Sequence, residues 1–227
     1  MNTNNSLASQ NKEPTLIQYS PELCEKDIKE NHRHFDERVS LYRGKGLDFV
    51  KSRDFILQKA HPLEGSMLEI GSGTGYTALA LAKAGHKFAS VDNDKEALNI
   101  TALNLSHADV LSNVKLYVMD GACMTFESAS FKNIICVNLF HHIDKVNKML
   151  SEIDRVLCAN GKVVLADFNR TGMKIVDAVH EKEGRMHKNS EVKKEDVYSY
   201  FSGLGYEIRA YEDNCHWLLV GIKKIER

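Results

Sequence analysis

From Pro62 onward the apolar positions switch period back and forth along the chain. Short apolar runs at 66–70, 88–91, 114–119, 133–137 and 162–166 predict five strands. Between them, residues 75–84, 94–107 and 144–157 carry apolar side chains three and four apart, the spacing of a helix with one packed face. Gly85 and the pair Asn160-Gly161 suit the left-handed backbone that closes such helices. Strands alternating with helices of this length predict a doubly wound, mostly parallel sheet covered on both faces. The ending differs. Residues 193–201 predict a last helix, Gly203 and Gly205 break it, and 206–211 and 216–222 predict two strands. Only residues 212–215 lie between those two, far short of the dozen a parallel crossover needs, so they form an antiparallel hairpin. The fold class is α/β with a seven-stranded sheet.

The first third reads otherwise. It holds all three prolines, Pro14, Pro21 and Pro62, and places a boundary near 62–65. Residues 1–14 are polar, without the basic start and apolar run of a signal peptide, and predict a disordered tail. Residues 15–62 predict a helical segment, with Ser20 as N-cap, Pro21 at the first helical position, and Leu47, Val50, Ile56 and Leu57 on one stripe. Residues 63–227 are the α/β domain.

Composition narrows the partners. Lys+Arg total 30 against Asp+Glu 31, for a net charge of -1, which argues against a nucleic-acid partner. The apolar runs 134–137 and 217–222 are too short to span a bilayer, so a cytoplasmic protein without a membrane partner is expected, as monomer or homodimer. Cys24, Cys123, Cys136, Cys158 and Cys215 are odd in number and form no C-x-x-C pair, which argues against a disulfide framework or structural zinc. His32-x-His34 and the run from His180 to His187 have no recognised ligand spacing, and no metal site is expected.

The sharpest chemical signal is Leu68-Glu69-Ile70-Gly71-Ser72-Gly73-Thr74-Gly75, a strand running into a helix. Glycines there let the backbone turn tightly and approach a ligand closely. A dinucleotide fingerprint, G-x-G-x-x-G/A, needs its third small residue where Tyr76 stands. Glu69 at the strand end repels a pyrophosphate and suits a cofactor bearing an ammonium and a sulfonium. These residues disfavour an NAD-dependent oxidoreductase and favour S-adenosylmethionine (SAM).

With these motifs the chain resembles the class I SAM-dependent methyltransferases over roughly residues 42–224. Their first motif, an acidic residue before G-x-G-x-G, is matched by Glu69, Gly71, Gly73 and Gly75. Their second, an acidic residue ending strand two that holds the ribose hydroxyls, is matched by Asp92 beside Asn93. Their third, near the adenine amine, is matched by Asp120, with the backbone of Gly121 and Ala122 beside it. An aliphatic-His-His stretch after strand four is matched within Asn138-Leu139-Phe140-His141-His142. The resemblance implies a Rossmann-like fold, an N-terminal helical lid that brings Tyr42 to the cofactor, and a cofactor site that also includes Ser72 and Asn138. Two departures stand out. Lys132-Asn133 replaces the common Asp opening strand four, and no proline follows Pro62, so the Asn/Asp-Pro-Pro-Tyr and Pro-Cys motifs of methylators of adenine, glutamine or cytosine are absent.

A small-molecule acceptor is therefore expected, with S-adenosylhomocysteine as product. In open α/β sheets ligands bind beyond the carboxyl ends of the strands, which makes Asp167, with His141 and His180, the candidates for catalysis. Asn169, Arg170 and His187, in the loop after strand five and the polar stretch it enters, are the candidates for the acceptor. A module that binds SAM or its product without turnover is the alternative.

Overall fold

The order of buried and exposed positions builds one sheet with helices on either side, and the computed structural model describes residues 18–143, 146–184 and 192–224. In chain order the elements are β1 (Gln18–Tyr19), α1 (Glu25–Arg43), α2 (Phe49–Ala60), β2 (Met67–Ile70), α3 (Tyr76–Lys83), β3 (Phe88–Asp92), α4 (Lys95–His107) and β4 (Val114–Val118). Then come β5 (Phe131–Val137), α5 (Val146–Val156), β6 (Leu157–Phe168), α6 (Arg170–Lys182), α7 (Lys194–Gly203), β7 (Glu207–Glu212) and β8 (His216–Ile222). The strands lie in the order β1-β4-β3-β2-β5-β6-β8-β7. β2 to β6 are mutually parallel, and β8 enters antiparallel between β6 and β7. The chain winds outward from β2 to β4 and then returns to β5, so the order reverses between β2 and β5, where such sheets open a ligand crevice.

Neighbouring residues of a strand face opposite ways, and the sheet has two cores as a result. Leu68, Ile70, Ile134 and Cys136 pack with Met149, Leu150 and Ile153 of α5 and with Phe201 of α7. Met67, Ile135, Val164 and Leu218 pack with Ile56 of α2, Leu81 of α3 and Leu98 of α4. A third, smaller cluster joins Tyr42, Leu47 and Phe49 to Val176 and Val179 of α6 and to Cys215. It fastens the first two helices to the carboxyl end of the sheet.

The structure departs from the sequence expectations in four places. Ser20-Pro21 does not open α1: the N-cap is Cys24, without a side-chain cap, and Glu25 and Asp27 in the first turn complement the helix dipole instead. An eighth strand of two residues, Gln18–Tyr19, pairs with β4. The loop after strand five passes directly into the helix α6, capped by Asn169, whose side chain accepts from the N–H groups of Thr171 and Gly172 at 2.9 and 3.0 Å. β6 starts at Leu157, directly after α5, and turns at Asn160 with φ 57° before it joins β5 in steady register. Residues 1–14, the expected tail, lie outside the described residues.

Candidate functional site

β2 ends in a turn whose three glycines all take positive φ, 81° at Gly71, 52° at Gly73 and 82° at Gly75. Only glycine adopts that backbone without strain. The three differ in what surrounds them. A Cβ on Gly71 would meet Leu139 at 2.8 Å, and one on Gly75 would meet the Thr101 backbone at 3.1 Å. At Gly73 a Cβ would meet nothing within 4 Å, so that glycine faces open space. α4 pins the turn from behind, with the Thr101 hydroxyl donating to the Gly73 carbonyl (3.0 Å) and the Asn104 amide to the Thr74 carbonyl (2.8 Å). Asn31 of α1 donates in turn to Asn104 at 2.7 Å, linking the first helix to the glycine turn.

Asp92 closes β3, and its carboxylate accepts from the Gly73 N–H at 2.8 Å and the Asp94 N–H at 3.0 Å. Each oxygen keeps a further lone pair for a ligand. Asn93 beside it is exposed. Asp120 lies beyond β4, exposed, and accepts from the Ala122 N–H at 2.8 Å, which engages the Ala122 amide. Gly121 is placed for close packing, since a Cβ there would meet Ile70 at 2.7 Å.

Glu69 is more deeply set than its sequence position suggests. It is 1% exposed and accepts from the Ser90 hydroxyl at 2.5 Å, while its Oε1 has no partner. Burial pushes its carboxyl up to about 7, against the pull of Ser90 and Arg53. Arg53 of α2 is its buried counter-charge, held down to about 10 by the same burial. Its Nε donates to the Thr77 hydroxyl at 3.0 Å, its guanidinium sits 5.5 Å from the Phe49 ring centre, and its Nη1 has no partner.

At the ends of β5 and β6 the structure brings two expected residues together. Asp167 accepts from the His141 backbone N–H at 2.9 Å and lies 2.7 Å from its Nδ1. Asn138 has φ 59° and a buried Oδ1 without a partner. His180 lies elsewhere, on α6, where its Nε2 is 3.3 Å from the Tyr42 hydroxyl and 3.3 Å from Arg38, which also pairs with Glu183 at 2.8 Å. Tyr42 and His180 thus join α1 to α6. Asn169 is engaged as the α6 cap and donates to Glu212, Arg170 is exposed, and His187 lies outside the described residues.

Sequence reasoning missed Arg53, Thr101, Asn104 and the pair Asp213–His216. His216 opens β8 and is wholly buried, 3.3 Å from Asp213 through Nδ1, with Nε2 unpartnered. No motif marks these residues, and only the burial of Arg53, Thr101, Asn104 and His216 as polar groups separates them from ordinary core and surface positions. Ser72 and Tyr76 complete the set of buried side-chain atoms without partners among the described residues. Unpaired acceptors on Glu69 and Asn138, an unpaired donor on Arg53 and open space at Gly73 fit a cofactor whose end carries both an ammonium and a carboxylate. No group of three or more His, Cys, Asp or Glu side chains among the described residues is placed to hold a metal ion. No helix among them is long and apolar enough to cross a membrane.

Comparison with known proteins bears on this geometry directly. Residues 68–165 match the methyltransferase domain family. An uncharacterized methyltransferase of Bacillus subtilis, YcgJ, is 26% identical over 192 residues, covering 83% of this chain and 75% of its own length. Its crystal structure superposes with a TM-score of 0.62 at 19% identity, covering 78% of this chain and 99% of that one. The protein mmp1179 of Methanococcus maripaludis gives a TM-score of 0.63 at 20% identity over 92% of this chain and 98% of its own. The [4+2]-cyclase SpnF has the same fold, with a TM-score of 0.63 at 13% identity over 78% and 81% of the two chains. The methyltransferase match spans β2 to β6, the five parallel strands that carry the glycine turn and the order reversal, and in sequence and fold the chain resembles the class I SAM-dependent methyltransferases.

Proposed function

We propose that the chain moves a methyl group from SAM to a small-molecule acceptor in the cytoplasm, with S-adenosylhomocysteine as product. One observation carries the reading. Buried polar atoms in folded proteins nearly always find partners. The exceptions among the described residues, on Arg53, Glu69, Ser72, Tyr76, Asn138 and His216, all belong to the carboxyl end of the sheet or to the helices closing on it. Such a concentration suits a polar ligand that supplies the missing partners.

The division of labour follows from the donor set. Glu69 Oε1 and Asn138 Oδ1 are acceptors suited to an ammonium, and Arg53 Nη1 is a donor suited to a carboxylate. Asp92 suits the two ribose hydroxyls, and Asp120 the adenine amine. SAM supplies a methyl on a positively charged sulfur, already activated toward a nucleophile. The chain then has to hold the acceptor in line and keep water out, and positioning alone supplies about 7–11 kcal/mol in favourable cases. The cluster of Tyr42, Leu47 and Phe49 against α6 supports the lid role of residues 15–62. His180 serves that closure, while His141, fixed by Asp167, stands as a wall of the acceptor space. The balanced charge of the chain supports a small acceptor over nucleic acid.

The SpnF likeness shows why activity needs its own test, because one fold hosts several chemistries. Calorimetric titration with SAM, S-adenosylhomocysteine and NAD is the first step. Micromolar binding of the first two and none of NAD is expected, and binding of NAD alone overturns the reading. Release of S-adenosylhomocysteine with a panel of hydroxyl, amine and thiol acceptors then separates an enzyme from a module that only binds.

A further inference from the structure

Beside the residues of the cofactor site stands a second acid–histidine pair. The Asp213 carboxylate accepts from the backbone N–H groups of Cys215 (2.7 Å) and His216 (2.6 Å) and lies 3.3 Å from His216 Nδ1. Burial works to raise Asp213, yet the bonds from His216 and Cys215 hold it down to about 2. It is a carboxylate at neutral pH and accepts only, so Nδ1 carries the ring hydrogen and Nε2 carries the lone pair. Nε2 is buried and has no partner. The large majority of buried side-chain polar atoms have a partner, so the bare Nε2 is an exception.

Its place is as telling as its tautomer. β8 runs antiparallel to β6, so the first residue of β8 lies at the carboxyl end of β6, paired with Phe168. The centre of the Phe168 ring is 4.9 Å from that of His216 and 5.3 Å from that of His141. Arg53 from α2, Asp213 from the hairpin and Asp167 from β6 are the charged groups that act on the ring. Burial is the largest influence, and it lowers the affinity of the ring for a proton, as does Arg53.

We propose that His216, oriented by Asp213, is the proton acceptor for an acceptor substrate that presents an O–H, N–H or S–H group, a role that rests on the methyl-transfer reading above. In the step, the X–H bond breaks, its electron pair stays on X, and the proton takes the Nε2 lone pair. The resulting imidazolium is held through Nδ1–H by the Asp213 carboxylate and returns its proton to solvent after the product leaves. The substrate class is therefore a neutral nucleophile that must lose a proton.

The test uses the full chain labelled with nitrogen-15 at histidine, saturated with S-adenosylhomocysteine, with phenol as the O–H probe. His216 is expected to show protonated Nδ1 and bare Nε2 at neutral pH, and phenol to shift the Nε2 resonance saturably. His216→Gln assigns the signal, and Asp213→Asn mixes the two tautomers in an otherwise intact ring. A protonated Nε2 in the wild-type chain, or phenol shifts confined to other histidines, overturns the assignment. With any acceptor found by screening, His216→Gln lowers kcat by roughly 10²–10⁴-fold and removes the acid limb of the pH profile. A variant that is slower but keeps that limb marks His216 as structural. A wild-type chain that binds no SAM sinks the methyl-transfer reading, whereas one that binds SAM with Nε2 protonated sinks only the role of His216.

Discussion

At the scale of single residues the site trades stability for a vacant charge. The Glu69 carboxyl holds its proton more tightly in the folded chain than in the unfolded one, where it lets go near 4.5. Its contribution is therefore fully present below about pH 4.5 and is lost as the pH rises through about 7, a fall of about 3 kcal/mol. Glu69→Gln should flatten that fall, raising the urea midpoint at pH 8 more than at pH 5, while weakening SAM binding. An equal gain at both pH values would mean that Glu69 is ionised at little cost. The glycines separate shape from contact. Gly73→Ala places a methyl in open space at φ 52° and should cost about 1 kcal/mol of stability but weaken SAM tenfold or more. Gly75→Ala drives a methyl toward the Thr101 backbone and should destabilise the free chain more than Gly73→Ala does. Thermal melts beside calorimetry distinguish the two. Asp92→Ala should weaken SAM by about 2–3 kcal/mol, because charge-assisted bonds to both ribose hydroxyls go at once. Unchanged affinity would remove Asp92 from the site.

Between elements, a small cluster of its own ties α1 and α2 to α6. Leu47 is wholly buried there, and Leu47→Ala should cost about 2–5 kcal/mol. The loss should fall on local opening: hydrogen exchange is expected to quicken across α1 and α2 while amides of β2 and β5 keep their protection. Uniform loss would mean that these helices and the sheet unfold as one unit. This scale also shows what the sequence could reveal. The strands from 67 to 118 were legible as short apolar runs buried on both faces, and the helices between them as longer runs with apolar side chains three and four apart. α6 was not, because His180, Glu181 and Lys182 make its end read as a solvated run, although Val176 and Val179 lie three apart on its packed side. β1 has two residues and exists through its pairing with β4, a partner nearly a hundred positions away. Asp92 and Gly73 belong to a spaced motif and could be named in advance. Arg53 and His216 could not, since their meaning lies in one buried nitrogen of each that has no partner.

Across the whole molecule, binding and folding are linked through the same crevice. A ligand at a hundredfold excess over its Kd adds about 2.7 kcal/mol, and for a chain of this size that is a rise in Tm of roughly 5–10 °C. SAM and S-adenosylhomocysteine should both produce it, and NAD should leave the melt unchanged. The sheet order carries a further consequence, for the chain as it is made. β7 is synthesised before β8, yet among the described strands its one neighbour is β8, which slots between β7 and the long-finished β6. A ribosome-bound chain halted before residue 216 would therefore hold the glycine turn, Asp92 and Asp120 in sequence but have nothing to dock β7 against. The strands that carry Glu69, the glycine turn, Asp92 and Asp120 are encoded early and the hairpin that brings Asp213 and His216 arrives last, so competence for chemistry should trail competence for folding the first five parallel strands during synthesis.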